Sequence, residues 1–115
     1  MSYFPWLAAI LIGLVFCPGS PARAQSEVHI LAFGDSLTAG YGLLASESFA
    51  AQLEQSLLDK GYAVRVTNAG VSGDTSADGL ARVDWSLEDP PHLVILELGA
   101  NDGLQGLKPQ SMREN

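Results

Sequence analysis

Ile30-Leu31-Ala32-Phe33 runs directly into Gly34-Asp35-Ser36-Leu37-Thr38-Ala39-Gly40. The junction reads as a buried strand that breaks at a glycine and holds a hydroxyl at its carboxyl end. Open α/β sheets place their ligand sites at that end of their strands. Outward from the junction the pattern alternates. Val28 to Phe33 is the strand, Gly34 to Ala45 a loop, and Ser46 the expected cap of a helix whose Phe49, Leu53 and Leu57 share one face before Gly61 ends it. Ala63 to Thr67 is a second strand, followed by a turn-rich stretch from Asn68 to Asp74. Asp74 or Thr75 caps a second helix with Ala77, Leu80, Val83 and Leu87 on one face and Pro90-Pro91 as its stop. Leu93 to Leu98 is a third strand, Gly99 to Gly106 a loop, and Lys108-Pro109 opens a third helix.

Strands that alternate with helices imply right-handed crossovers and a parallel sheet. Three strands and two complete helices make a thin core for ~90 residues, so a domain truncated at its carboxyl end is expected. Before Gln25 the chain has a different character. Leu7 to Val15 is an apolar core, Pro18-Gly-Ser-Pro21 breaks it, and Ala22-Arg23-Ala24 is a small-x-small cleavage pattern. Residues 1–24 are therefore read as a signal peptide for export to the periplasm or medium, although no Lys or Arg lies in its first residues. Residues 25–115 are read as the start of one domain. The apolar stretch falls short of the ~20 residues of a bilayer span, so no stable membrane anchor is expected. Cys17 follows Phe16 rather than a small residue, which argues against a lipoprotein.

Without the leader, 5 basic residues face 13 acidic ones. So acidic a chain, with no basic cluster, argues against nucleic acid and anionic membranes as partners. No cysteine remains, so any nucleophile is an oxygen. In a parallel sheet the carboxyl ends of all strands lie along one edge, so the loops that start at Gly34, Asn68 and Gly99 converge there. Ser36, Asn68, Gly70, Ser72, Asp74, Thr75, Asn101 and Asp102 become neighbours, and acyl transfer is the chemistry they suit. By itself a serine in Gly-Asp-Ser is a turn residue or a helix cap, and Asn101 equally fits an Asx-turn.

Three blocks carry a family resemblance: Gly34-Asp35-Ser36-Leu37, Gly70 within Asn68-Ala-Gly-Val-Ser-Gly-Asp-Thr-Ser76, and Gly99-Ala-Asn101-Asp102. In order and spacing they resemble the first three blocks of the SGNH (GDSL) hydrolases. Ser72-Gly-Asp-Thr-Ser76 with Gly79-Leu-Ala-Arg82, and Glu97 to Leu104, are similar to the branch of periplasmic thioesterase, lysophospholipase and arylesterase enzymes. The resemblance implies a flavodoxin-like three-layer α/β/α sandwich with a five-stranded parallel sheet, of which the first three strands are present. It implies a small-molecule acyl ester or thioester as substrate, no metal and no cofactor. Ser36 takes the nucleophile's place and adds its N–H to the oxyanion hole. Gly70 matches the backbone donor of the second block, and Asn101 the side-chain donor of the third.

The family's fourth block, an Asp-x-x-His that supplies the general base, has no counterpart in position. Asp89-Pro-Pro-His92 has the spacing but precedes the third strand, while Ser36 follows the first. Six strand residues at ~3.3 Å each put the two ~20 Å apart, where a base must come within ~3 Å. His29, at the start of the first strand, fails likewise, and His92 is expected to be a solvated imidazole. The 115 residues alone are therefore expected to be inactive. A carbohydrate acetylesterase of the same fold and a non-catalytic binding module are the alternative readings.

Gly40-Tyr-Gly42-Leu-Leu-Ala45 fits a dinucleotide pattern, but its glycines begin well after the strand ends and no ribose-binding acid closes the second strand. Thr38 stands where G-x-S-x-G needs its second glycine, which removes the α/β-hydrolase fold proper. Asp35, Asp74 and Asp102 read as turn or cap residues beside glycines rather than a metal cluster. Glu97 shares a face with Leu93 and Ile95 and is expected to accept backbone N–H bonds near the site. Tyr41, Leu43 and Leu44 either line an acyl pocket or pack on the first helix.

Overall fold

The computed structural model describes residues 26–115, so the leader reading lies outside the described residues. Three strands, β1 (Val28–Gly34), β2 (Val64–Gly70) and β3 (Leu93–Glu97), form one parallel sheet in the order β2-β1-β3. The helices are α1 (Ser36–Ala39), α2 (Phe49–Asp59), α3 (Ser76–Ser86), α4 (Ala100–Leu104) and α5 (Pro109–Glu114). As the central strand, β1 is covered on both faces, which is why Ile30-Leu31-Ala32-Phe33 is an unbroken apolar run, all of it buried. Leu57 of α2 lines one cavity with Val28, Ile30 and Val64 on one face of the sheet, and Gly79 of α3 lies close to Phe33 on the other. The parallel α/β reading is borne out, with helices on the two sides of the sheet.

Several local expectations are corrected. Ser48, not Ser46, caps α2: its hydroxyl accepts the Ala51 N–H (3.3 Å), while Ala45–Glu47 forms a separate 3-10 turn. Strand β2 continues to Gly70, because pairing with β1 extends as far as Gly34. On α3, Leu80 and Val83 line one cavity with Phe33 and Leu96, but neither is the most deeply buried residue. Gly79 is that residue, since a Cβ there would meet Leu98 and Phe33, whereas Leu80 is 51% exposed and Leu87 37%. Both loops after β1 and β3 contain a short helix. Tyr41, Leu43 and Leu44 are largely exposed.

The strand register aligns the site. Gly34 stands opposite Gly70 on one side and Glu97 on the other, so the three strands end level with one another. Among the described residues no helix is long and apolar enough to cross a membrane.

Candidate active site

Ser36 is the first residue of α1. A helix leaves its first N–H groups without internal partners. Asp35, the cap, takes the N–H of Leu37 with its side chain (3.0 Å), which leaves the Ser36 N–H beside the Ser36 hydroxyl. The turn is anchored from below by Glu97, whose Oε2 accepts from the Thr38 hydroxyl (3.0 Å) and the Asp35 N–H (3.4 Å). Glu97 therefore holds the serine turn, as expected, with one of its two donors a hydroxyl.

Gly70 lies against the same turn. A Cβ at this position would overlap the backbone of Ala39, so only glycine lets β2 approach α1 this closely. Its N–H donates to Asn68 Oδ1 (2.9 Å).

Asn101 arrives on the first turn of α4, and its cap Gly99 adopts φ +117°, a conformation that favours glycine. The Asn101 amide donates to the Asp74 carbonyl (2.8 Å) and to Asp35 Oδ2 (3.3 Å). The shorter bond ties it to the loop after β2. The longer one reaches the residue before Ser36. Ser36, Gly70 and Asn101 thus meet at the carboxyl edge of the sheet, as the loop convergence predicts.

The three aspartates do more than close turns. Asp102 is buried and accepts the Ser76 N–H (2.8 Å) and the Ser76 hydroxyl, supplying the first donors of α3 with an anionic partner. Thr75 caps α3 reciprocally with Asp78, which accepts the Thr75 N–H (2.9 Å). Asp74 pairs with Arg82 (2.7 Å). No sequence signal marks that pair, whose members lie eight positions apart across loop and helix.

The Ser76 hydroxyl holds Asp102 below the usual aspartate range, and the Thr75 backbone N–H, with its hydroxyl, does the same for Asp78. Both native values are depressed. Their stabilisation is therefore complete above the unfolded value of about 3.9 and is lost as pH falls through the native values. Denaturant midpoints of the protein expressed from its complete coding sequence are expected to fall with acid only below about pH 4 on this account, less steeply in Asp102→Asn. An equal slope in that variant would contradict the assignment.

At the opposite edge of the sheet the histidines serve the strands. The His29 N–H donates to His92 Nδ1 (2.9 Å), the His92 N–H to the His29 carbonyl (2.8 Å), and His29 Nε2 lies 2.9 Å from the Thr67 hydroxyl. His92 is thus exposed but tied to β1, rather than simply solvated. Asp89 pairs with Arg65 (3.1 Å).

Residues 32–115 match the GDSL-like Lipase/Acylhydrolase family. Esterase TesA of Pseudomonas aeruginosa is 49% identical over 95 residues, 82% of this chain and 46% of that protein. Thioesterase 1/protease 1/lysophospholipase L1 of Escherichia coli K12 is 43% identical over 93 residues, 80% of this chain and 43% of that one. The crystal structure of AlinE4, an SGNH-hydrolase family esterase, superposes with a TM-score of 0.73 at 53% identity, covering 76% of this chain and 48% of that one. The chain spans about half the length of the curated relatives it matches.

Proposed function

Because the chain belongs to the GDSL-like lipase/acylhydrolase family, we propose that the protein is a serine hydrolase that cleaves carboxylic acyl esters or thioesters through an acyl-enzyme on Ser36. The observation that carries this reading is the meeting of Ser36, Gly70 and Asn101 at one strand edge, with Asn101 Nδ2 3.3 Å from the residue that precedes Ser36.

Ser36 Oγ attacks the acyl carbonyl as a histidine base takes its proton. The carbonyl oxygen becomes an oxyanion, held by the N–H groups of Ser36 and Gly70 and by the Asn101 amide. Each such donor is worth ~3 kcal/mol in the transition state. The alcohol or thiol leaves with the proton, and water then releases the acid by the same steps in reverse order. Neither His29 nor His92 is that base. The similarity to proteins named esterase and thioesterase/lysophospholipase supports small acyl esters or thioesters as substrates. The apolar segment Leu7 to Val15 and the pattern Ala22-Arg23-Ala24 support export to the periplasm.

The test uses the protein expressed from its complete coding sequence. A fluorophosphonate is expected to label Ser36 and to leave Ser36→Ala unlabelled. Asn101→Ala is expected to lower kcat about 10²–10³-fold on p-nitrophenyl esters with little change in KM. No label at Ser36 would favour a binding module. Activity confined to acetate in an acyl-length series would favour the acetylesterase reading.

A further inference from the structure

Arg82 connects parts of the site that the strands alone leave separate. Its Nε donates to Asp74 Oδ2 (2.7 Å) and its Nη2 to the Gly34 carbonyl (3.0 Å). The guanidinium carbon lies 4.0 Å from the centroid of the Phe33 ring, which fixes the plane of the fork. Side-chain exposure is 20% for Arg82 and 12% for Asp74, so neither is a freely solvated surface charge.

What it holds is informative. Gly34 is the residue before Asp35, and Asp74 carries the carbonyl that binds the Asn101 amide at 2.8 Å. A closed circuit therefore runs from Arg82 through Gly34 and Asp35 to Asn101 and back through Asp74. In the serine hydrolase reading an acyl oxygen takes the place of the longer contact to Asp35, and Arg82 then sets the spacing between the serine turn and the Asn101 donor. An ammonium at this position can satisfy one acceptor but lacks the planar fork that spans both.

We propose that Arg82 is a positioning residue for acyl transfer, setting the distance between Ser36 and the Asn101 amide without touching substrate. The proposal rests on the serine hydrolase reading. Misplacement of a catalytic donor by about 1 Å costs on the order of 100-fold. The loss falls on the transition state, so kcat drops while KM holds.

The test compares wild type, Arg82→Gln and Arg82→Lys in the protein expressed from its complete coding sequence. Active sites are counted by fluorophosphonate stoichiometry. Expected are a loss of about 100-fold in kcat per titrated site for Arg82→Gln, partial recovery in Arg82→Lys, and KM within about twofold of wild type. Unchanged kcat per titrated site in either variant overturns the proposal, as does failure of both variants to fold, which makes the residue structural. If wild type shows no Ser36-dependent turnover, the esterase reading fails, and the side-chain amide resonances of Asn101 decide the geometry. Resonances that move in Arg82→Lys show that Arg82 places the Asn101 amide although no acyl transfer follows, and resonances that stay overturn the geometric claim itself.

Discussion

Residues 26–115 expressed alone hydrolyse p-nitrophenyl esters at no more than the residual rate of a serine site that lacks its base, and neither His29→Ala nor His92→Ala changes that rate. The expectation follows from where the sheet puts its imidazoles. His29 stands at the second residue of β1, and both backbone groups of His29 are bonded to His92. Gly34, at the far end of β1, is five residues on, or ~17 Å at ~3.3 Å per residue. A base must come within ~3 Å of the serine hydroxyl. The one acid spaced like a triad partner for His92 is Asp89, which pairs with Arg65 at 3.1 Å. Loss of the base from a serine–histidine pair costs about 10⁶ in kcat, and oxyanion donors with binding retain a residual 10³–10⁴ over water. Ser36-dependent turnover by residues 26–115 that disappears in His92→Ala would overturn this placement.

The sequence made the sheet legible because its signals are local. The apolar run Ile30 to Phe33 reads as a buried strand, and alternation with helices implies parallel pairing. The site followed from the same topology, since level strand ends bring Ser36, Gly70 and Asn101 together whatever else the loops do. The short helices α1 and α4 were not legible. Four or five residues hold barely one turn and show no period, and their caps, Asp35 and Gly99, look like ordinary turn residues. The tightest contact of α3 was missed for another reason. Hydrophobic periodicity selects Leu80 and Leu87, but close packing on Phe33 selects Gly79, the one residue small enough. Arg82 escaped because its partners, Asp74 and the Gly34 carbonyl, lie 8 and 48 residues away. Only the folded chain shows that one guanidinium reaches both.

The two outer strands differ in a way that decides how residues 26–115 behave alone. On the β2 side a side chain guards the edge: Glu54 Oε2 accepts the Val66 N–H (2.7 Å), and the charged Arg65 lies on the surface. Strand β3 has no comparable guard. Its one charged residue, Glu97, is turned inward to Thr38 and Asp35, and Leu93, Val94 and Leu96 are 51%, 43% and 69% exposed. These residues alternate between the two faces of the sheet, so apolar surface flanks the strand on both sides. Its outer side pairs with no strand among the described residues. Such an edge is a template for another strand, and full burial of each of these side chains contributes about 1.5–3 kcal/mol. Residues 26–115 are therefore expected to self-associate, eluting ahead of a monomer in size-exclusion chromatography with a concentration-dependent light-scattering mass. Leu96→Lys puts a charge on the edge and is expected to return most of the protein to monomer. Trp85→Lys removes an aromatic that is 72% exposed on α3, away from the edge, and is expected to leave association unchanged. A monodisperse wild-type monomer with a cooperative melt would show that β3 is protected, and equal relief by both substitutions would place the contact elsewhere on the surface.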